Sequence, residues 1–193
     1  MITPLQPRSG LPEGYPFDYE RQFCLSDGRT VNTRPIVPGD AALLGREFQE
    51  IDSDTIYQRF FNPAIKLDRK RLRYLTEIDY DHRFAVAAFA RGSGVAIARF
   101  EPSAEGVAEV AVVVKEAWRG AGLATALFEL LEEAAIERGI ESLEALYLPE
   151  NHAIERVLKK RGFGGATFDS GIARVTKELG DRSVPPEVAI DCP

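Results

Sequence analysis

The sequence predicts an α/β fold with a mixed central β-sheet of about six or seven strands flanked by helices. Two observations carry this prediction. Apolar, β-branched runs alternate with amphipathic runs over most of the chain, which is typical of layered α/β folds. In addition, the apolar run 107–114 leads through a glycine-containing turn into a long amphipathic segment and then into another strand. Such a strand–helix–strand step joins two parallel strands, whereas the short hairpin turns elsewhere predict antiparallel pairs.

The first half of the chain reads as two hairpins with three helices between them. Turn signals at 26–29 and 91–94 each separate two short apolar segments, which indicates hairpins. Pro38 opens the first helix, Ser53 or Asp54 is expected to cap the second, and the third begins at Asp68. The predicted strands are 19–25, 30–35, 84–90 and 95–101, and the predicted helices start near 38, run through 53–60 and cover 68–78.

The second half predicts a strand at 107–114, a helix at 122–138, a strand at 143–148, a helix that starts at 149–151 and stops at Gly162, and a closing hairpin at 163–169 and 172–177. Gly139 stands where a left-handed helix C-cap is expected. The long helix carries one apolar stripe, which indicates that one side of it packs on the sheet. That stripe consists of Leu123, Leu127, Leu130, Leu131 and Ala134.

With 193 residues, the chain is expected to form one domain with a sizeable core. Prolines concentrate at both ends, and proline disfavours regular helices and central strands. We therefore interpret 1–18 as an N-terminal arm, 19–178 as the folded domain and 179–193 as a C-terminal tail. The terminal prolines are Pro4, Pro7, Pro12, Pro16, Pro185, Pro186 and Pro193.

The net charge, the hydropathy pattern and the cysteine positions limit which binding partners and which cellular compartment we expect. A net charge of −6 argues against nucleic acid as the main partner and favours a basic one. No apolar run approaches the ~18 residues of a membrane span, and no secretory leader is visible, so we expect a cytoplasmic protein without a membrane partner. Cys24 and Cys192 match neither a zinc spacing nor a disulfide framework, which fits a reducing compartment. No metal site is predicted.

The glycine turn predicts an anion site. Gly120, Gly122 and Ala124 keep backbone N–H groups accessible at the start of a helix, where unpaired donors and the helix dipole favour a phosphate. A P-loop would need Gly-Lys-Ser/Thr, which is absent. A dinucleotide fingerprint would need a small residue in place of Thr125. A strand-to-helix turn with small residues only for packing is the other interpretation of this geometry.

The segment from Arg119 to Ala124 satisfies the pattern Arg/Gln-x-x-Gly-x-Gly/Ala at every fixed position. In this the chain resembles the GCN5-related N-acetyltransferase (GNAT) superfamily, and the order of predicted elements resembles that fold over about 30–178. The resemblance implies acetyl-CoA as co-substrate. The expected acetyl-CoA contacts on the strand and the turn are Val112, Val113, Val114, Arg119, Gly120, Ala121, Gly122, Leu123, Ala124 and Thr125.

Asn151 to Phe163 resembles a second signature of the superfamily, in which Asn opens a helix that ends in Gly-Phe. Asn151 fits a helix cap, and the resemblance implies a further contact to the pantetheine arm. Many relatives carry a tyrosine seven residues later that protonates the leaving thiolate, but Leu158 stands here. The thiolate is therefore expected to leave unassisted or with a solvent proton, and Tyr147 is a weak substitute for the acid.

Glu109 is the one charged residue of its apolar strand and shares a face with Ala111 and Val113 by alternation. It is either a solvated strand end or a base whose raised pKa suits it to take a proton from an amine. Segments 56–61, 79–81, 108–111 and 149–151 resemble the catalytic domain of bacterial protein lysine acetyltransferases, which modify acyl-CoA synthetases. That resemblance places their glutamate base at Glu109. His82, His152 and Trp118 are expected to be surface or packing residues.

The predicted function is acetyl transfer from acetyl-CoA to an amine, with a protein lysine as the favoured acceptor. A small amine or amino acid as acceptor, and a non-catalytic acyl-CoA-binding sensor, stay open as alternatives. Some of the resembled enzymes are under cyclic-nucleotide control. The 193 residues leave no room for a cyclic-nucleotide domain, so we do not expect that control here.

Overall fold

A computed structural model describes residues 10–62 and 64–180. Its centre is one eight-stranded sheet in the order β1-β2-β3-β4-β5-β6-β8-β7. Every neighbouring pair is antiparallel except β5 and β6, which are parallel. The predicted mixed α/β sheet is therefore confirmed. It has eight strands instead of six or seven, because both terminal hairpins pair into it.

The elements follow the predicted order. The strands are β1 (Arg21–Cys24), β2 (Thr30–Pro35), β3 (Phe84–Ala90), β4 (Ser93–Ala104), β5 (Val107–Val114), β6 (Ser142–Tyr147), β7 (Gly164–Asp169) and β8 (Ile172–Glu178). The helices are α1 (Ala41–Gln49), α2 (Ser53–Phe60), α3 (Arg69–Thr76), α4 (Leu123–Glu137) and α5 (His152–Lys160), with three short 3₁₀ turns at Phe17–Tyr19, Pro38–Asp40 and Glu116–Trp118.

The hydrophobic core lies between the sheet and α4. The predicted apolar stripe of α4 is buried against β3, β4 and β5, with Leu127, Leu131 and Ala134 fully covered. α5 packs on the same face through Leu158. Helices α1 and α2 cover the opposite face, so the sheet is sandwiched between two helical layers. Within the described ranges, no helix combines the length and apolar character that crossing a membrane requires.

Local signals account for most helix ends, with one correction. The expected cap of α2 at Ser53 or Asp54 is wrong, because both residues lie inside the helix. Asp52 is extended, as a cap residue must be, and its carboxylate accepts a hydrogen bond from the Thr55 N–H at 2.7 Å. Gly139 does adopt the predicted left-handed conformation after α4, with φ at 71°.

The ends of β4 and of α3 differ from the sequence prediction. β4 runs to Ala104 instead of ending near 101, because its pairing with β5 continues to Ala104↔Val107 across an irregularity at Pro102. α3 ends at Thr76 instead of 78, since Glu77 leaves the helical conformation with ψ at 86°. Residues 1–9 of the predicted arm and 181–193 of the predicted tail lie outside the described residues.

The cysteine expectation needs a correction too. Cys24, the last residue of β1, is disulfide-bonded, so the expectation of a chain without disulfides is wrong. The second cysteine, Cys192, lies outside the described residues. The spacing of the two cysteines carries no information on pairing, because residues distant in sequence meet only through the fold.

Candidate active site

Strands β5 and β6 separate part of the way along, and their separation opens a cleft. Their parallel pairing ends at Val110↔Ala145, whereas β5 continues to Val114 and β6 to Tyr147. β5 stays paired with β4 to its end, so its far half presents one backbone edge without a partner strand. The cleft follows this edge and is bounded by β5, β6 and the first turns of α4 and α5.

The backbone N–H and C=O groups of successive β5 residues point alternately to β4 and to the cleft. The Lys115 N–H donates to the Val95 carbonyl of β4 at 3.0 Å. Because successive residues of a strand direct their peptide groups to opposite edges, Val112 and Val114 direct theirs to the cleft and Val113 directs its own to β4. The Val114 carbonyl also accepts a hydrogen bond from Arg119 Nε at 3.1 Å. The free polar groups are therefore those of Val112 and the Val114 N–H.

The turn before α4 is nearly free of side chains toward the cleft. Gly120 and Gly122 have φ of 79° and 89°, a region that favours glycine, and a Cβ on either would meet no heavy atom within 4 Å. Gly122 is the N-cap of α4, and this helix has no side-chain cap. Its first N–H groups, at Leu123, Ala124 and Thr125, therefore lack helical acceptors and lie at the positive end of the dipole.

The side chains of Ala121 and Arg119, two residues of the predicted loop, contact other parts of the protein. Ala121 is 5% exposed and packs in the hydrophobic core, while its carbonyl accepts a hydrogen bond from the Ser26 N–H at 3.2 Å. Ala121 is the one predicted acetyl-CoA residue that does not line the cleft. Arg119 lines it, but its guanidinium is engaged with Thr55 Oγ1 and the Val114 carbonyl. Neither side chain is directed to a phosphate.

Asn151 connects two sides of the cleft. Its Oδ1 accepts a hydrogen bond from the Ile154 N–H at 3.2 Å, which caps α5 as predicted. Its Nδ2 donates to Oε1 of Gln58, on α2, at 3.2 Å. The amide is therefore positioned from both ends, with Gln58 as a neighbour that sequence reasoning did not identify.

The remaining candidates take packing or surface positions. Leu158 is 2% exposed and lies in the core, and Tyr147 is buried beside it at the edge of the cleft. Trp118 packs against Arg29, whose guanidinium carbon lies 4.2 Å from the centroid of the Trp118 ring. The side chains of His82 and His152 are each 76% exposed, and neither lines the cleft.

Glu109 lies at the cleft end where β5 and β6 are still paired. It shares with Ala111 and Val113 the sheet face that α1 and α2 cover, opposite to the α4 face. In register it stands directly opposite Glu101 of β4 and Glu144 of β6. Three carboxylates therefore form a row across three neighbouring strands, which sequence alternation within one strand could not show.

The surroundings of Glu109 raise the pKa of its carboxyl above the ordinary value. Burial is the largest cause, the Arg59 guanidinium opposes it, and the Glu144 and Glu101 carboxylates raise the pKa further. Arg174 makes a smaller opposing contribution. A carboxyl with a raised pKa at the edge of an acyl-binding cleft is suited to accept a proton near neutral pH.

Arg59 is the main site residue that sequence reasoning missed. It lines both the cleft and an adjacent apolar cavity of about 110 Å³ beneath α1 and α2. Burial lowers the pKa of Arg59, and the Glu109 and Glu101 carboxylates counteract that effect. The signals in the sequence are an arginine on a short amphipathic helix and its place in the segment 56–61 that resembles the lysine acetyltransferases, and neither assigns it a role. Its position depends on how α2 crosses β5.

The described ranges contain no group of three or more His, Cys, Asp or Glu side chains placed to hold a metal ion. The polar groups of the cleft include backbone N–H donors, the amides of Gln58 and Asn151, hydroxyl and guanidinium groups, Lys160 and the Glu109 carboxyl. This donor set suits a phosphate and a proton transfer better than it suits a metal ion.

Comparisons with known proteins agree with this geometry. Residues 46–163 match the family model described as "Acetyltransferase (GNAT) family". Acetyltransferase Pat of Mycolicibacterium smegmatis is 32% identical over 143 residues, which cover 72% of this chain and 43% of that protein. The chain thus corresponds to less than half of that relative.

Solved structures of acetyltransferases also resemble this chain. The GNAT domain of S. lividans PAT superimposes with a TM-score of 0.80 at 32% identity, covering 86% of this chain and 99% of that domain. The acetyltransferase yncA of Salmonella typhimurium, solved with its cofactor acetyl-CoA, shares the fold with a TM-score of 0.66 at 18% identity, covering 82% of this chain and 99% of that one. The chain belongs to the GNAT family of acetyltransferases.

Proposed function

We propose that this protein transfers the acetyl group of acetyl-CoA directly to an amine, with a protein lysine as acceptor and Glu109 as general base. The single observation that carries the proposal is a half-buried carboxyl at the inner end of a cleft whose outer end is a side-chain-free helix N-terminus. The 32% identity to acetyltransferase Pat and to the GNAT domain of PAT supports the acetyltransferase assignment. A cytoplasmic location stays a prediction.

The cleft fits the two polar parts of acetyl-CoA. The pyrophosphate would lie on the N–H groups from Gly120 to Thr125, where the helix dipole favours negative charge and no Cβ intrudes. The amides of the pantetheine arm would pair with the free backbone edge at Val112 and Val114, as an added strand does. Asn151, already held by its two hydrogen bonds, would border that arm.

Glu109 would prepare the acceptor. A lysine amine with its ordinary pKa of about 10.4 is almost fully protonated at neutral pH, and only the neutral amine attacks a thioester. The Glu109 carboxylate would take that proton directly or through one water. The thioester, when bound, supplies the activated acyl carbon, and a backbone N–H near Val112 would stabilise the carbonyl oxygen.

No tyrosine acid is available where many relatives have one. Leu158 is buried in the core and has no proton to give. Tyr147 borders the cleft, but it also packs in the core. The departing CoA thiolate is a good leaving group, so we expect transfer without a protein acid at this point.

A small amine or amino acid is the second candidate acceptor, and one observation favours it. The apolar cavity beside Arg59 is lined by side chains such as Leu44, Phe48 and Ile97. It is large enough for a few carbon atoms, and its Arg59 and Arg99 guanidinium groups would suit a carboxylate. A free apolar amino acid would thus fit there with its amine toward Glu109.

One turnover experiment separates these functions. CoA release from acetyl-CoA is measured with an acyl-CoA synthetase, with lysine peptides and with a panel of amines and amino acids. Acetylation of the protein or the peptides supports the proposal, and turnover of free amino acids alone would replace it with the small-acceptor function. Tight acetyl-CoA binding without turnover of any acceptor would indicate a sensor.

A further inference from the structure

Helix α3 carries a concentration of positive charge in an acidic protein. Residues 66–73 contain five cationic side chains and one acidic one, in a chain whose net charge is −6. All five are exposed, and together with the adjacent Tyr74 we call them the α3 basic surface. The five cations are Lys66, Arg69, Lys70, Arg71 and Arg73.

Little of this charge is neutralised within the protein. Asp68 is used as the N-cap of α3, and Arg73 pairs with Glu77 in an exposed i,i+4 contact. Such exposed pairs contribute little and are screened by salt. Arg69 and Lys70 make no ion pair with any residue of the described ranges. The α3 basic surface therefore keeps a positive potential.

The surface reaches the catalytic face of the sheet through Tyr74. Its ring is 52% exposed, and its hydroxyl donates to Glu101 Oε2 at 2.7 Å. Glu101 stands opposite Glu109 in register. The Arg83 guanidinium lies 3.9 Å from the Tyr74 ring centroid, so basic groups continue from α3 down to the sheet.

Beneath Tyr74, three arginines lie around the Glu101 carboxylate. Burial, the largest cause, lowers the pKa of Arg99 to about 10, and the Arg59 and Arg83 charges contribute in the same direction while Glu101 opposes them. Arg99 forms an ion pair with Glu101. Even so, Arg83 Nε and Arg99 Nε are buried without a hydrogen-bond acceptor.

This charge has a consequence for any lysine that approaches Glu109. Its ammonium group would meet the carboxylate row of Glu101, Glu109 and Glu144, which attracts it. The guanidinium groups around Glu101 would repel the same ammonium group, since like charges at short range disfavour the encounter. Carboxylates next to the lysine in the acceptor would offset that repulsion and would also match the exposed cations of α3. Complementary charge of this kind steers association and selects partners.

We propose that the α3 basic surface binds an acidic segment of the acceptor protein, so that lysines flanked by Asp and Glu are the preferred acceptors. The inference rests on the proposed lysine acetyltransfer and adds the chemical class of the acceptor. A nucleic acid would match the same cations, but the net charge of −6 disfavours a polyanion as long as a duplex, whereas a short acidic segment contacts only this surface.

The first test compares peptides of equal length with blocked termini and one lysine each. The flanking residues are Asp and Glu in one, Ser and Gly in the second and Arg in the third. We expect kcat/KM to be about tenfold higher for the acidic peptide than for the neutral one at low salt, and lowest for the Arg peptide. The difference should shrink in molar salt. Equal values for the acidic and neutral peptides would overturn the inference.

A charge reversal at the surface tests its location. Lys70→Glu is suitable because a glutamate in the first turn of α3 is favourable for the helix. It should lower the preference for the acidic peptide at least threefold while leaving the neutral peptide nearly unchanged. Arg91→Glu is the matched control, since Arg91 is also exposed but lies at the opposite end of β3 from Arg83. An unchanged preference in Lys70→Glu would contradict the assignment.

A binding measurement separates this inference from the proposed function. A fluorescent acidic peptide with Gln in place of its lysine cannot be acetylated, but its anisotropy still reports binding to the α3 basic surface. If no peptide is acetylated, the proposal that a lysine is the acceptor is wrong. Binding that Lys70→Glu weakens would then still support the α3 basic surface, and absence of binding, or binding that Lys70→Glu leaves unchanged, would overturn it. The inference would also be overturned if a duplex DNA bound more tightly than the acidic peptide and Lys70→Glu weakened the binding of both to the same extent.

Discussion

Glu109 of β5 and Glu144 of β6 stand directly opposite each other, one residue before the two parallel strands separate. Glu144 is buried and paired with Arg174 of β8, and its charge is one of the causes that raise the pKa of Glu109. The candidate base is thus tuned by a carboxylate on the strand that forms the other wall of the cleft.

Glu144→Gln should move the acidic limb of the kcat/KM profile to lower pH. Removing the Glu144 charge leaves Arg174 without its partner, and both changes lower the pKa of Glu109. The base then stays deprotonated at lower pH. Arg174→Gln should move the same limb to higher pH, because it removes a cation that lowers this pKa. Shifts in the same direction for both variants would contradict the tuning of Glu109.

Gly122→Asp should weaken acetyl-CoA binding strongly. Gly122 caps α4 with φ at 89°, so any side chain is strained there, and a carboxylate would also repel the pyrophosphate. Calorimetry on Gly122→Asp, Gly122→Ala and Gly139→Asp separates the two effects. Gly139 has a φ of 71° and equally open surroundings, but it lies at the other end of α4. We expect the weakest binding in Gly122→Asp and parental binding in Gly139→Asp. Parental affinity in a folded Gly122→Asp protein would remove the pyrophosphate assignment.

Leu158→Ala should reduce the free energy of unfolding by about 2–5 kcal/mol, the usual cost of a buried Leu→Ala change. Leu158 is 2% exposed and packs in the main core, so the loss is one of packing. Urea denaturation gives the stability change, and turnover below the melting temperature should fall much less. A large loss of turnover at unchanged stability would instead show that this side chain shapes the reacting centre.

The glycine turn, the capping Asn151 and the placement of Glu109 on its face of β5 could be predicted from the sequence, because each depends on residues close together in the chain. Strand alternation fixes the face of a side chain, and glycine spacing fixes where backbone can be approached. Asp52 shows the limit of such signals. It is one of three neighbouring residues able to cap α2, and only the backbone conformation distinguishes them.

The electrostatic setting of Glu109 could not be predicted in the same way. Glu101, Glu144 and Arg59 reach it from two other strands and a helix, so their positions depend on strand register and on where α2 lies. A charged residue in an apolar strand indicates a special site, but it does not say which charges face it. The contact between Asn151 and Gln58 depends on tertiary placement for the same reason.

Glu109→Gln tests the chemistry most directly. The amide keeps the size of the side chain and much of its hydrogen bonding but cannot take a proton at neutral pH. If Glu109 is the base, turnover should fall by roughly 10²–10⁴-fold, the usual contribution of general base catalysis. The loss should shrink at high pH, where more of the acceptor amine is already neutral.

Acetyl-CoA affinity should stay near the parental value in Glu109→Gln, because the predicted contacts to the co-substrate lie farther along β5 and in the glycine turn. Glu101→Gln is a matched control, since it stands opposite Glu109 on the same face but pairs with Tyr74 and Arg99. It should alter the rate much less and shift the acidic limb to lower pH. A Glu109→Gln enzyme with the parental rate and pH profile would leave Glu109 as a structural charge and would require another base.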